Sequence, residues 1–183
     1  MTSRLNKEAL SHGNSTQKLL EEYLRTSSAL RNACGLLPGD YCPLSYVAQG
    51  EYNINYAFTN PHTNKRYLLR ANKGSQLHLD QQITYEAQTL QLLDGCQRTP
   101  SIYYIDDTKS ALPYGISVMD FLEGRPLNYT TDLYEAARIL ADIHSQKLPT
   151  KHHLITPVSP LAAIYEECVA LFSRYEASAH ADD

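Results

Sequence analysis

The chain has 183 residues, 43% of them hydrophobic, and a formal net charge of −4, which suit one folded domain with a sizeable core and exclude a disordered tail. Its Lys and Arg residues are scattered, which argues against a surface for nucleic-acid phosphates, and no run approaches the roughly 20 apolar residues needed to span a bilayer. Residues 1–10 lack the apolar run of a signal peptide, so we expect a cytoplasmic protein with no nucleic-acid or membrane partner.

The cysteine pattern indicates neither a zinc site nor a disulfide framework. Cys34, Cys42, Cys96 and Cys168 lie far apart in the sequence, without a C-x-x-C pair. We therefore expect reduced thiols and no metal-binding residues in this chain.

An N-terminal helical extension is predicted for residues 1–43. Between Lys7 and Cys34, leucines recur among polar residues at a spacing typical of one or two amphipathic helices. The cluster Gly35–Pro43 is rich in Gly and Pro and breaks that pattern. We therefore predict a domain boundary at this cluster.

An antiparallel meander and a helix are predicted next. The segments Tyr46–Ala48, Ile54–Phe58 and Arg66–Arg70 have strand patterns, and a tip dense in turn-forming residues separates the last two. The stretch Leu79–Leu93 places apolar residues at helical intervals, and Gly95 beyond it suits a helix terminus. One helix is therefore expected to follow the meander.

Two more strands and two helices complete the predicted order. Ser101–Ile105 and Gly115–Phe121 have strand patterns and are separated by a polar turn. Leu133–His144 has its apolar residues on one face and Asp132 as a suitable N-cap, which predicts a packed helix. Leu161–Tyr175 is again amphipathic. The whole order predicts an α+β fold.

The turn between the first two predicted strands contains a glycine. In a site that binds phosphates, backbone N–H groups lie against the phosphate oxygens, and Gly50 allows an approach that a side chain would block. Glu51, Tyr52 and Asn53 complete the turn. An ordinary hairpin turn also uses a glycine, so both interpretations stay open.

A cation and a carboxylate occupy positions that suit a phosphate site. Arg70 ends the third predicted strand, where alternation points it beneath the turn as a phosphate-binding cation. Glu86 on the following helix is placed to hold Arg70, which is a pairing that kinases make. A solvent-facing strand charge and a solvated helix carboxylate are the alternatives.

An apolar strand becomes a polar connector after Asp120. In a kinase this connector is the hinge, where backbone groups of Asp120 and Leu122 face the adenine edge and Met119 lies behind it. A core strand that ends in a Gly-Pro turn is the alternative interpretation.

Together, these features resemble the small lobe of the aminoglycoside phosphotransferase and choline kinase-like family, which has a protein-kinase-like fold. The runs that carry the resemblance are Gln49–Asn55, Leu68–Arg70, Tyr85–Ala87, Val118–Leu127 and Leu140–His144. The resemblance implies that residues 44–128 form a nucleotide-binding lobe with ATP as its cofactor. It also implies that Gly50–Asn53 covers the phosphates, that Arg70 binds them and that Glu86 is the partner of Arg70.

The catalytic motifs of that family are missing from the chain. Its members share a His-x-Asp-x-x-x-x-Asn loop and a later metal-binding Asp, and neither follows His144. We therefore expect residues 129–183 to begin a truncated helical large lobe and the chain alone to be inactive, without a catalytic residue. Mg²⁺ and the small-molecule acceptor are expected only with the missing part. A noncatalytic nucleotide-binding or protein-interaction module is the alternative.

Overall fold

The structure is a computed structural model that describes residues 15–74 and 79–178. The chain divides between His152 and His153 into two units, which are described separately. Within the described residues, the first unit contains an antiparallel sheet. Along the chain, helices precede its first strand, lie between its third and fourth strands, and follow its last strand.

In the part of the chain that the structure describes, five strands form a single sheet in the order β1-β2-β3-β5-β4, with every neighbouring pair antiparallel. They are β1 (Ser45–Gln49), β2 (Asn53–Thr59), β3 (Arg66–Asn72), β4 (Ile102–Asp106) and β5 (Gly115–Asp120). The first three strands form the predicted meander. Strand β5 then pairs with β3 and leaves β4 at the edge. The predicted α+β fold, an antiparallel sheet with a helix as in a kinase small lobe, is confirmed.

The helices follow the chain order that the sequence predicts. They are α1 (residues 15–26), α2 (Ser28–Ala33), α3 (Gln82–Leu92), α4 (Leu133–His144) and α5 (Pro160–Glu176). Helix α4 has the predicted bounds, whereas α3 begins at Gln82 and not at Leu79, where the chain is not yet helical. Lys7, where the predicted N-terminal helices begin, lies outside the described residues.

One face of the sheet is apolar and buried, and we call it the apolar face. Cross-strand pairing aligns alternate residues of β2, β3 and β5 in rows across it. The rows are Ile54, Ala71 and Ile116, then Tyr56, Leu69 and Val118, then Phe58 and Tyr67. Leu20, Leu24 and Leu30, from α1 and α2, belong to the same core. The N-terminal helices therefore cover this face and contribute to its hydrophobic stabilisation.

Polar contacts also join the N-terminal segment to the sheet. Gly35 follows α2 with a φ of 64°, the left-handed conformation with which helices often end. The buried Asn60 side chain, beyond β2, donates to the carbonyl oxygens of Cys34 and Gly35 at 2.9 and 3.0 Å. The buried Arg31 guanidinium donates to the Asp40 carbonyl at 3.2 Å. The described part of the extension therefore shares one core with the sheet.

The sequence predicts that the apolar side of helix α4 is packed against the protein, and that prediction is wrong for the described chain. Its Leu133 and Leu140 side chains are 53% and 57% exposed. Asp132 makes no side-chain cap bond, because its carboxylate accepts from both terminal nitrogens of Arg125 at 2.6 and 2.9 Å. This pairing lowers the pKa of Asp132 to about 2. The Asp132 carboxylate therefore bonds the charged guanidinium of Arg125 and not a backbone N–H in the first turn of α4, as the cap prediction assumed.

The second unit contains α5, which has a proline in its first turn, where the missing N–H costs little. Large apolar side chains of α5, among them Leu161 and Phe172, are exposed. None of the helices that the structure describes has the length and apolar character needed to cross a membrane.

Candidate functional site

The opposite face of the sheet changes from polar to apolar along its strands, and we call it the site face. Cross-strand pairing again defines three rows on β2, β3 and β5. In order from the β1–β2 turn, the rows are Asn53, Asn72 and Gly115, then Asn55, Arg70 and Ser117, then Ala57, Leu68 and Met119. The first two rows lie nearest the turn and carry amides, a hydroxyl and a cation. The third row is wholly apolar and lies nearest the connector that follows β5.

The structure brings Arg70 and Glu86 together as the sequence predicts. Arg70 Nη1 donates to Glu86 Oε2 at 2.8 Å, and Arg70 Nε donates to Asn55 Oδ1 at 3.2 Å. The two charged side chains are 28% and 26% exposed. Among the described residues, no protein group accepts a hydrogen bond from Nη2. A guanidinium carries five N–H donors, so Arg70 retains donors for a bound anion.

Helix α3 places Glu86 over the site face through its own packing. Ile83 and Ala87, one turn apart, are buried, and α3 lies against β4 and β5. This packing leaves Glu86 at the side of the helix that looks toward β3. Gln82, one turn earlier, donates from Nε2 to Glu86 Oε1 at 3.1 Å. The carboxylate is therefore held from two sides.

The β1–β2 turn is closed by its own backbone. Gly50 N–H donates to the Asn53 carbonyl at 2.9 Å, and Lys73 N–H donates to the Tyr52 carbonyl at 2.7 Å. The neighbouring Glu51 charge raises the pKa of the Tyr52 hydroxyl. The backbone N–H of Gly50 is therefore committed within the turn in this structure.

Nothing in the described protein explains why residue 50 is a glycine. A Cβ atom built there would meet no atom within 4 Å, and Gly50 is not among the glycines with positive φ. The steric and conformational reasons that usually require glycine are both absent here. Gly50 therefore leaves open space above the turn.

Where β5 ends and the connector begins, the N–H groups of Asp120 and Phe121 donate to the carbonyls of Ser101 and Arg66 at 3.0 and 3.3 Å, and the backbone becomes accessible only at Leu122. The Asp120 carboxylate accepts from the Tyr103 hydroxyl at 2.7 Å and from Ser101 N–H at 3.0 Å. Partial burial opposes ionisation of Asp120, but these donors and Lys65 lower its pKa below the usual value. Leu122 is 62% exposed, and within the described residues no protein group bonds its backbone N–H or C=O. Met119, by contrast, is buried at 3% exposure.

The sequence analysis missed a basic pair that holds this connector. Arg66 Nη1 donates to Glu123 Oε1 at 2.6 Å, and its guanidinium lies 3.8 Å from the centre of the Phe121 ring. Lys65 Nζ lies 3.3 Å from Asp120 Oδ1. Local sequence patterns do not record this contact, because it depends on the pairing of β3 with β5, which places Tyr67 opposite Asp120. That register places Lys65 and Arg66 beside the connector.

Two sizeable pockets are formed by residues other than the predicted site residues. A pocket of about 530 Å³ lies beside α1 and α2 and is lined by residues from Arg25 to Tyr41. Another, of about 510 Å³, is open and lies at the start of α3. Neither is lined by the predicted nucleotide-binding residues. Among the described residues, no group of His, Cys, Asp and Glu side chains is arranged to hold a metal ion.

Comparisons with known proteins identify relatives of this chain. A family model described as APH, the phosphotransferase enzyme family, matches residues 44–180. A crystal structure of a candidate aminoglycoside phosphotransferase from Ralstonia eutropha JMP134 is 22% identical to the chain, with a TM-score of 0.39. The match covers 61% of this chain and 29% of that one, and so low a score supports no conclusion about activity. No curated protein matches the chain.

Proposed function

The chain belongs to the phosphotransferase enzyme family, and we propose that it carries the ATP-binding lobe of a kinase that phosphorylates a hydroxyl of a small molecule. In this proposal, residues 44–128 are the nucleotide-binding lobe and residues 1–43 are a helical extension, whose described part packs on it. Residues 129–183 begin the helical large lobe.

The change of polarity along the site face carries this proposal. ATP has a charged triphosphate at one end and an apolar, flat base at the other. The site face offers Asn55 and Arg70 near the β1–β2 turn, then Ala57, Leu68 and Met119 near the connector. One nucleotide laid along β3 therefore meets a matching surface at each end.

Arg70 is the residue that we assign to the phosphates. Its guanidinium is oriented by Glu86 and Asn55, and its remaining donors suit phosphate oxygens, which guanidinium groups bind with two parallel hydrogen bonds. Glu86 is a positioning residue in this assignment, because it acts through Arg70. ATP supplies the phosphoryl group, and the chain's own residues bind and orient it.

The turn and the connector complete the proposed site. Gly50–Asn53 covers the phosphates, where the open space beside Gly50 allows close approach. The Asp120 N–H already donates to the Ser101 carbonyl at 3.0 Å, so we assign the Asp120 carbonyl and the backbone groups of Leu122 to the adenine edge. Met119 closes the pocket behind it. The side-chain bonds of Asp120 keep its carboxylate turned away from the base.

Transfer itself needs groups that this chain does not supply. Of the His-x-Asp-x-x-x-x-Asn loop, the sequence contains only the first three positions, in His180-Ala181-Asp182, and it contains neither the Asn nor the later metal-binding Asp. Without those two Mg²⁺ ligands, the charge of the transition state is not stabilised. We therefore propose that the chain alone binds ATP without transferring its phosphate.

Calorimetry with ATP and Mg²⁺ tests the proposed function. The variants are Arg70→Ala and, as a matched control, Arg25→Ala, whose guanidinium forms an exposed ion pair with Glu22. We expect wild type and Arg25→Ala to bind equally, and Arg70→Ala to bind about 10- to 100-fold more weakly, as expected for a lost charge-assisted bond. Absence of ATP binding by the wild-type chain, or equal binding by all three proteins, contradicts the proposal.

A noncatalytic interaction module is the second candidate function. The observation that favours it is the exposure of Leu133, Ile139 and Leu140 on α4, because apolar surface of this kind often marks a partner site. Light scattering after size-exclusion chromatography distinguishes the candidates. Stable self-association that Leu140→Ser abolishes supports the module, whereas a monomer at all concentrations counts against it.

A further inference from the structure

Helix α3 carries Glu86 but lacks a cap of its own. Its N-cap residue, Gln81, makes no side-chain cap bond, and its first turn contains no acidic residue. The first N–H groups of a helix have no partner within the helix and are usually satisfied by a nearby side chain. The start of α3 is therefore available to a side chain from elsewhere in the chain.

Asp107, which follows β4, supplies that side chain. Its Oδ2 accepts from Thr84 N–H at 2.9 Å, and Thr84 is the third residue of α3, the position that a cap side chain commonly bonds. Asp107 is only 9% exposed. Its carboxylate also places a negative charge at the positive end of the helix dipole.

The first residue of strand β5, Gly115, lies beside this carboxylate and leaves room for it. A Cβ atom at Gly115 would lie 2.4 Å from Asp107 Oδ1 and 2.9 Å from Ile83 Cγ1 of α3. Any side chain at residue 115 would therefore displace the Asp107 carboxylate and the Ile83 side chain. Gly115 lies in the first row of the site face, so the cap, the helix and the site face meet at this position.

The turn that presents Asp107 is fixed by helix α1. The Tyr23 hydroxyl donates to Asp106 Oδ2 at 2.6 Å, and the Tyr104 hydroxyl oxygen lies 2.6 Å from the Tyr23 hydroxyl oxygen. Asp106 Oδ1 accepts from both the backbone N–H and the hydroxyl of Thr108. Partial burial opposes ionisation of Asp106, but these donors lower its pKa. The turn is therefore held on both sides of Asp107.

We propose that Asp107 is a positioning residue for the Arg70–Glu86 pair and that Tyr23 fixes the turn that presents it. The contacts run from Tyr23 to Asp106, from Asp107 to Thr84, and along α3 to Glu86. Through Tyr23, the N-terminal extension thereby steadies the phosphate-binding cation. Only the predicted effect on nucleotide binding rests on the proposed function.

The test uses four variants of the full chain. Asp107→Ala removes the cap, whereas Asp107→Asn keeps an oxygen that caps a helix equally well. Tyr23→Phe removes one hydroxyl. Asp40→Ala is the matched control, because it also removes a carboxylate that accepts a backbone N–H, that of Leu37 at 2.7 Å, far from α3 in the chain.

The first readout is amide hydrogen exchange at Thr84 by NMR, which does not depend on nucleotide binding. We expect exchange about tenfold faster in Asp107→Ala and a smaller increase in Tyr23→Phe. Asp107→Asn and Asp40→Ala should exchange like wild type. Unchanged exchange in Asp107→Ala, or an equal increase in Asp40→Ala, overturns the positioning role.

The second readout compares the affinities for ATP and for adenosine, which has no phosphates. Asp107→Ala should weaken ATP binding about fivefold to tenfold and leave adenosine binding unchanged, because only the phosphate contact depends on Glu86. Equal losses for both ligands overturn the role and indicate general loosening. If wild type binds no ATP, the proposed function is wrong, and the exchange at Thr84 alone decides the positioning claim.

Discussion

The two faces of the sheet are built from alternate residues of the same strands, yet they serve different purposes. On β3, Leu69 is fully buried in the core beneath the N-terminal helices, whereas its neighbour Arg70 is 28% exposed and ion-paired with Glu86. The apolar face thus supplies packing, and the end of the site face nearest the β1–β2 turn supplies polar groups. In our proposal, stability and nucleotide binding therefore depend on alternate residues of the same strands.

The largest expected effect lies on the apolar face. Leu69→Ala should lower the free energy of unfolding by about 2–5 kcal/mol, because Leu69 is fully buried and the surrounding core relaxes only partially around the cavity. The protein that remains folded should bind ATP as wild type does. Urea unfolding followed by calorimetry at a temperature below the transition checks both statements. A loss of ATP affinity in folded Leu69→Ala would show that the faces are not separable.

A smaller and opposite effect is expected at Gly50. Gly50→Ala should leave stability unchanged or raise it by up to about 1 kcal/mol, because the added Cβ meets no protein atom and the unfolded chain loses freedom. ATP affinity should nevertheless fall several-fold, because the Cβ occupies space that we assign to the phosphates. Thermal unfolding and calorimetry measure the two quantities. Wild-type ATP affinity in this variant would remove the turn from the proposed site.

Much of the sheet could be predicted because alternation reports burial directly. Ile54, Tyr56 and Phe58 are apolar at every second position of β2, and all three are buried as the pattern requires. Local patterns alone left Arg70 and Glu86 open to interpretation as solvent-facing charges, and their pairing was predicted from the resemblance to kinases. The roles of these residues toward a nucleotide stay predictions.

Other features depend on contacts between segments distant in sequence, which local patterns do not record. Asp107 was read as part of a polar turn, because nothing near it in the sequence shows that Thr84 lies within reach. The apolar stripe of α4 predicted packing, yet Leu140 is exposed in the described chain. Asp132 has the residue type of a cap, but the nearby Arg125 competes successfully for its carboxylate. Residue type alone does not decide between such partners.

The smallest expected effect is on the pH dependence of stability, and it concerns Asp106 in the turn that presents Asp107. The pKa of Asp106 is lowered in the folded chain, so its contribution is present above the unfolded pKa of about 4 and is lost as the pH falls through the lower folded value. Asp106→Asn should therefore flatten the decline of stability below about pH 4. Chemical unfolding at a series of pH values checks this, and an unchanged slope would contradict the role of Tyr23 and Thr108 as donors to a charged Asp106.

The most direct test of the central claim, that Glu86 acts on phosphates through Arg70, is a double-mutant cycle read by ATP calorimetry. The proteins are wild type, Arg70→Ala, Glu86→Ala and the double variant. We predict that each single change weakens ATP binding, and that Glu86→Ala has no further effect, within about twofold, once Arg70 is absent. Losses that add independently, or wild-type binding by Arg70→Ala, would contradict the account.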